Sequence, residues 1–211
     1  FMNRWWLKHA IHRVREYEDF MLKMKDKKYP VKLGCEVDYL EGCEDLISDF
    51  LNDKKWDFII GSVHWLDGWG FDFPKKISTW SRRNLNEVYD RYFSLVQKAA
   101  ESKLFDIIGH LDLIKIFGHY QKDFVRTKAL EAITVIADSN MSVEINTAGL
   151  RRPVSEVYPG KKLLVECIKK GIPLTVGSDA HTPQDVGRDF DKIRSLFEEF
   201  NVKRLVAYKN R

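Results

Sequence analysis

Residues 104–112 read LFDIIGHLD, a short apolar run that ends in a glycine, a histidine and an aspartate. The same arrangement occurs earlier in WDFIIGSVH at 56–64 and later in IPLTVGSDAH at 172–181. Nearly uniform apolar runs of this length, bounded by glycine and polar residues, are typical of strands buried on both faces. These three stretches therefore predict buried parallel strands with polar residues at their carboxyl ends.

Apolar runs alternate with helical stripes along the rest of the chain. The pattern predicts strands at 31–37, 56–64, 104–110, 141–147, 172–181 and 202–208, and helices at 3–27, 43–53, 85–99, 123–139, 161–170 and 184–200. Asn84 is expected to cap the third helix. This alternation indicates an α/β fold, in which helices cover a parallel sheet. An open doubly wound sheet and a barrel both fit, and the polar strand ends favour the barrel.

The composition limits the classes of function. The chain of 211 residues has 35 basic and 31 acidic residues, a formal charge of +4, and 44% hydrophobic residues. These values predict a single domain over 1–211 and a small anionic ligand rather than nucleic acid. No apolar run reaches the ~20 residues of a membrane span. Three cysteines without a framework spacing indicate reduced thiols and a cytoplasmic protein.

Five polar residues at successive strand ends are the candidate metal ligands: Glu36, His64, His110, Asp179 and His181. A single histidine at a strand end is more often an ordinary polar residue than a ligand. The carboxyl ends of parallel strands meet at one rim, however, so all five side chains are expected to converge there. Oxygen and nitrogen donors without cysteine favour Zn, Mn or Fe in a hydrolytic site over a structural zinc site.

Two further features have alternative interpretations. Arg151 follows the strand at 141–147 at the same rim, where it could hold a phosphate group or form an ordinary surface pair. The segment at 65–82 is rich in tryptophan and phenylalanine. A long loop of this kind is usually functional, and its rings could line a pocket for a planar group or only pack.

Five stretches, in this order and at these separations, resemble the histidinol-phosphate phosphatases of the polymerase-and-histidinol-phosphatase (PHP) superfamily: GCEVDYLEG, DFIIGSVHWLDGWGFDFP, FDIIGHLDLIKIFG, VEINTAGLRRPVSEVYP and LTVGSDAH. The resemblance implies a distorted (β/α)7 TIM-like barrel with three Zn, Mn or Fe ions at the strand ends. It also implies hydrolysis of L-histidinol phosphate to L-histidinol and phosphate in histidine biosynthesis.

Residue by residue, the resemblance assigns Glu36, His64, His110, Asp179 and His181 as metal ligands and Arg151 as a phosphate contact. His110 and His181 are also candidates for an acid in catalysis. The expected substrate is a small phosphate ester. The alternatives are another PHP-type phosphoesterase or nuclease, and an inactive remnant.

The sequence departs from the family pattern at its start. The family opens with a strand that carries a His-x-His pair, followed by a second strand with a Ser/Thr-Asp-His element, and neither occurs here. The resemblance therefore implies an N-terminally truncated chain without the first two barrel strands and without four histidine ligands. We expect such a chain to bind metal weakly and to hydrolyse its substrate slowly.

Overall fold

The computed structural model describes residues 13–119 and 127–209. Its strands are β1 (Gly34–Asp38), β2 (Phe58–Ser62), β3 (Trp65–Leu66), β4 (Trp69–Gly70), β5 (Ile107–Ile108), β6 (Ser142–Asn146) and β7 (Leu174–Gly177). Five of them form a parallel sheet in the order β1-β2-β5-β6-β7, and β3 and β4 form a separate antiparallel hairpin. The order of the five-stranded sheet follows the order of the chain. Because its strands are all parallel, their carboxyl ends lie at the same rim.

Within residues 13–119 and 127–209, six α-helices connect and cover the strands: α1 (Val14–Asp26), α2 (Glu44–Asn52), α3 (Leu85–Glu101), α4 (Thr127–Asp138), α5 (Lys161–Lys169) and α6 (Arg194–Glu199). Asn84 caps α3 as predicted, because its side-chain oxygen accepts a hydrogen bond from the Asn86 amide. Helices α3, α4 and α5 pack against one another in sequence. This confirms the α/β fold with a parallel sheet. In the part of the chain described, no helix is long and apolar enough to cross a membrane.

The aromatic segment at 65–82 is mostly part of the core. After the β3–β4 hairpin, it continues into a 3-10 helix over Pro74–Arg82. Phe71 and Trp80 are fully buried, and the Trp80 indole donates a hydrogen bond to the Phe71 carbonyl at 3.0 Å. Trp65 and Phe73 are only half-buried, with ring centroids 5.4 Å apart. Packing therefore accounts for the inner rings of the segment, whereas its outer pair borders the surface.

Two predicted elements near the C-terminus were wrong. The structure has no strand at 202–208. The segment contacts the sheet through a hydrogen bond from the Val206 amide to the Leu174 carbonyl and through the Tyr208 hydroxyl, which bonds to Ser142. The helix expected at 184–200 is reduced to α6. Gly187 and Asp189 both have positive φ angles, which a right-handed helix cannot contain.

Other boundaries differ by a few residues. The strand predicted at 104–110 pairs only at Ile107–Ile108. The first predicted helix runs over Val14–Asp26 in the structure, and its part at 3–12 lies outside the described residues. The same holds for residues 123–126 of the helix predicted before β6.

Candidate metal centre

Three of the predicted ligands lie together at the rim. Glu36 is in β1, and His64 and His110 each stand two residues after the end of their strands, β2 and β5. Their nearest donor atoms all lie within 4.8 Å of one another. The Glu36 Oε1 atom is 3.0 Å from the His110 Nε2 atom and 4.0 Å from the His64 Nε2 atom. One carboxylate and two imidazoles at this spacing fit a divalent ion such as Zn²⁺.

Two neighbouring side chains orient these donors. The Ser62 hydroxyl donates a hydrogen bond to Glu36 Oε1 at 2.6 Å. The Asp38 carboxylate pairs with Nδ1 of His64. A carboxylate on one ring nitrogen of a histidine fixes the tautomer and leaves the other nitrogen free to bind metal. In His64, that other nitrogen is Nε2, which is the atom that approaches Glu36.

The pKa values of the group show how strongly its charges are coupled. Burial by itself lowers the pKa of His64, but the hydrogen bond and charge of Asp38 and the charge of Glu36 raise it to about 10. Burial likewise disfavours the Glu36 carboxylate, but the hydrogen bond and charge of His110, the charge of His64 and the hydrogen bond from Ser62 lower its pKa below the usual range. The metal-free protein therefore holds a proton on His64 at neutral pH.

We predict that metal binding releases about one proton from His64, because an imidazolium cannot bind metal. Since the raised pKa of His64 keeps it protonated throughout pH 6–8, zinc affinity should increase with pH, by up to about tenfold per unit. Calorimetric titration with Zn²⁺ in two buffers of different ionisation enthalpy measures the proton release. Equal heats in both buffers would contradict the prediction.

We predict that Asp38→Asn lowers metal affinity by about 10- to 100-fold, because the amide no longer fixes the tautomer of His64. Competition with a fluorescent zinc chelator measures the affinity. Asp45→Asn, which changes an exposed carboxylate in the first turn of α2, is the control and should bind like wild type. Equal zinc affinity in both variants would show that Asp38 does not orient His64.

A hydrogen bond from its backbone amide helps to fix the position of His110. Its φ angle is +23°, and its amide donates to Glu144 Oε2 at 3.1 Å. The Asn146 side chain donates to the same oxygen at 2.9 Å. Gly177 makes room for this carboxylate, because a Cβ atom there would lie 1.8 Å from Glu144 Oε1. The His110 Nδ1 atom is buried and has no hydrogen-bond partner among the described residues, which leaves it available to a ligand.

Asp179 and His181 follow β7 at the same rim, but the three-residue group of the described chain does not include them. The His181 side chain is 77% exposed, and its Nδ1 atom lies 3.0 Å from the Asp179 carbonyl oxygen. The Tyr158 ring lies beside His110, with ring centroids 6.4 Å apart. Burial raises the pKa of Tyr158, and the negative charge of Asp179 raises it further. Metal binding by Asp179 and His181 stays a prediction.

The Arg151 side chain is only 18% exposed. Its guanidinium donates to Asp189 Oδ2 at 2.9 Å and to the Ser178 carbonyl at 2.7 Å. These bonds tie the 3-10 helix after β6 to the segment after β7. A contact from Arg151 to phosphate stays a prediction.

Sequence reasoning did not single out four supporting residues, namely Asp38, Ser62, Asp72 and Glu144. A signal existed for Asp38, because residues two apart on a strand share a face and Asp38 stands two after Glu36. Asp72, whose charge also raises the pKa of His64, carried no such signal, since it lies in an irregular connection.

Comparison with known proteins agrees with this geometry. Residues 9–148 match the PHP domain model, and residues 166–200 match the PHP-associated model. A Deinococcus radiodurans protein named probable histidinol-phosphatase is 46% identical over 167 residues, which are 79% of this chain. The histidinol-phosphatase of Bacillus subtilis is 29% identical over 181 residues, covering 76% of this chain and 67% of the relative.

Two solved structures share the fold. A Listeria monocytogenes protein assigned as a histidinol phosphatase superposes with a TM-score of 0.78 at 27% identity, over 87% of this chain and 76% of that one. Histidinol phosphate phosphatase of Lactococcus lactis, solved with zinc, L-histidinol and phosphate, gives 0.70 at 19% identity, over 92% and 75% of the two chains.

The chain spans 64% of the length of the Deinococcus relative. The PHP domain model itself covers well over half of the chain, from residue 9 to residue 148. The three predicted ligands that lie together at the rim, Glu36, His64 and His110, all fall within that match. The chain therefore belongs to the PHP domain family.

Proposed function

We propose that this protein is a metal-dependent phosphomonoesterase that hydrolyses L-histidinol phosphate to L-histidinol and phosphate in histidine biosynthesis. The observation that carries the proposal is the convergence of Glu36, His64 and His110 in a chain 46% identical to a relative named probable histidinol-phosphatase. The substrate is a small phosphate ester. The relatives give no support to the nuclease or to the inactive remnant.

The cofactor in this proposal is a set of Zn, Mn or Fe ions, three in the complete site. The zinc in the Lactococcus structure and the donor set of this chain both support a divalent metal. Asp179 and His181 are proposed as the further ligands within this chain. A bound divalent ion would lower the pKa of water and neutralise charge on the phosphate.

The remaining steps belong to the side chains of the protein. Arg151 is proposed to bind a phosphate oxygen while Asp189 keeps its guanidinium in place. Whichever of His110 and His181 does not bind an ion is proposed as the acid for the leaving alkoxide, which needs a proton as the bond to phosphorus breaks. Of these two, His181 is the more exposed and has the freer side chain.

The proposal extends to the architecture and location of the protein. A doubly wound sheet reverses its strand order, whereas this one does not, which supports a (β/α)7 barrel. The five parallel strands of the described residues are compatible with such a barrel. A single domain is supported by β7, which pairs with β6 across the two matched regions. The three cysteines are free thiols, which supports a cytoplasmic location.

Phosphate release tests the proposed function. The purified protein, supplied with Zn²⁺ or Mn²⁺, should release inorganic phosphate from L-histidinol phosphate and stop after a chelator is added. His110→Ala measures the background, and single-stranded DNA serves as the alternative substrate. Release no faster than that of His110→Ala would overturn the proposal, and DNA degradation would replace it with a nuclease.

A further inference from the structure

Asp72 carries a buried polar atom that the metal centre does not explain. Its Oδ1 atom is shielded from solvent and has no hydrogen-bond partner among the residues described. Leaving a buried carboxylate oxygen unpaired is costly, so native structures rarely keep one without a reason. Such an oxygen is an acceptor in need of a donor.

The surroundings of Asp72 place it beside the metal centre. Burial raises the pKa of its carboxyl, the charges of His64 and His110 act in the opposite direction, and Asp38 adds a like charge. The chain on either side is well anchored. Phe71 is fully buried against Trp80, and Phe73 packs on Trp65, the residue next to His64. Asp72 is thus held in place near the two histidines, and its Oδ1 atom has no hydrogen-bond partner among the described residues.

The negative charge of the Asp72 carboxylate determines which part of a substrate it can bind. A carboxylate repels a phosphate group, which the metal ligands and Arg151 are placed to hold instead. On an L-histidinol ester, the only hydrogen-bond donors are the ammonium group and the imidazole N–H. A cationic donor would also restore the solvation that Asp72 lost on burial.

We propose that Asp72 is a substrate-binding residue whose carboxylate accepts a hydrogen bond from a cationic nitrogen in the alcohol half of the ester. This inference rests on the proposed function and assigns specificity within it. The metal centre selects the phosphate, and Asp72 selects the amino alcohol attached to it.

Calorimetric titration of the zinc-loaded full chain with two probes tests the proposal. The probes are L-histidinol, which carries the cationic nitrogens, and inorganic phosphate, which carries none. Asp72→Asn should weaken L-histidinol binding by about 10- to 100-fold, the cost of losing a hydrogen bond to a charged group. Phosphate binding should stay within about twofold of wild type. Asp67→Asn is the matched control on the same segment, since Asp67 is 65% exposed and pairs with Arg91.

The outcomes separate the two proposals. Unchanged L-histidinol binding in Asp72→Asn overturns the role of Asp72, and so does an equal loss of both probes, which would indicate an effect through the metal. If wild type binds L-histidinol but not phosphate, the proposed phosphatase fails while the role of Asp72 stands. Asp72→Asn should unfold close to the wild-type temperature, because the Oδ1 atom has no hydrogen-bond partner to lose among the described residues. A lower unfolding temperature would make it a structural residue instead.

Discussion

Glu36→Gln is expected to lower metal-dependent phosphate release by at least about 100-fold. Glu36 lies between the two histidines, with its Oε1 atom 3.0 Å from His110 and 4.0 Å from His64. Removing a residue that only orients a ligand costs about 10- to 100-fold in metal affinity or activity. Glu36 is proposed as a ligand itself, and the neutral amide that replaces it binds divalent ions more weakly.

Elemental analysis of the purified variant, alongside phosphate release, tests this result. Bound metal and activity should decrease together. Glu41→Gln is the matched control, because Glu41 forms ion pairs with Arg91 and Lys98 and takes no part in the metal centre. Full metal content and full activity in Glu36→Gln would mean that the ion is held elsewhere.

Lys115→Met is expected to lower the free energy of unfolding by about 3–5 kcal/mol, the usual cost of breaking a buried ion pair. Lys115 is only 4% exposed, and its ammonium donates to Asp112, to Glu156 and to the Val157 carbonyl. The methionine leaves the Asp112 carboxylate buried without its cation. Because Asp112 also accepts from the Gly160 amide, the loop before α5 should loosen with it.

Denaturant unfolding with a two-state fit measures the change. Lys128→Met is the control, since Lys128 forms an exposed ion pair with Glu131 that should contribute less than about 1 kcal/mol. The double variant Asp112→Asn/Lys115→Met should recover part of the loss, because the buried Asp112 charge is removed and only the more exposed Glu156 carboxylate stays without its cation. A loss in Lys115→Met no larger than in Lys128→Met would show that the buried pair is not important for stability.

The convergence of Glu36, His64 and His110 at one rim was predictable because chemistry and periodicity agree there. Glu36, His64 and His110 each follow or end an apolar run, and parallel strands necessarily bring such positions to one rim. The supporting residues depend on contacts across the sheet. Glu144 reaches the His110 amide only because Gly177, on the neighbouring strand, leaves space for its carboxylate. No local pattern in the sequence encodes that coincidence.

The errors at the C-terminus also have a physical origin. The apolar spacing at 184–200 is helical in period, but backbone conformation at Gly187 and Asp189 interrupts the helix. VKRLVAY has the residues of a strand, yet a strand needs a partner edge, and only Val206 bonds to β7. Asp72 escaped notice for a related reason, because irregular segments have no period from which the direction of a side chain can be read.

The placement of the ligands on separate strands links metal supply to the lifetime of the protein. Glu36, His64 and His110 come from β1, β2 and β5, so an ion bound by all three joins segments up to 74 residues apart in the chain. An ion that binds only the native state stabilises it in proportion to the logarithm of its concentration. Under metal starvation, such a protein would lose abundance through unfolding and proteolysis as well as activity, and restoring the metal alone would not recover molecules already degraded.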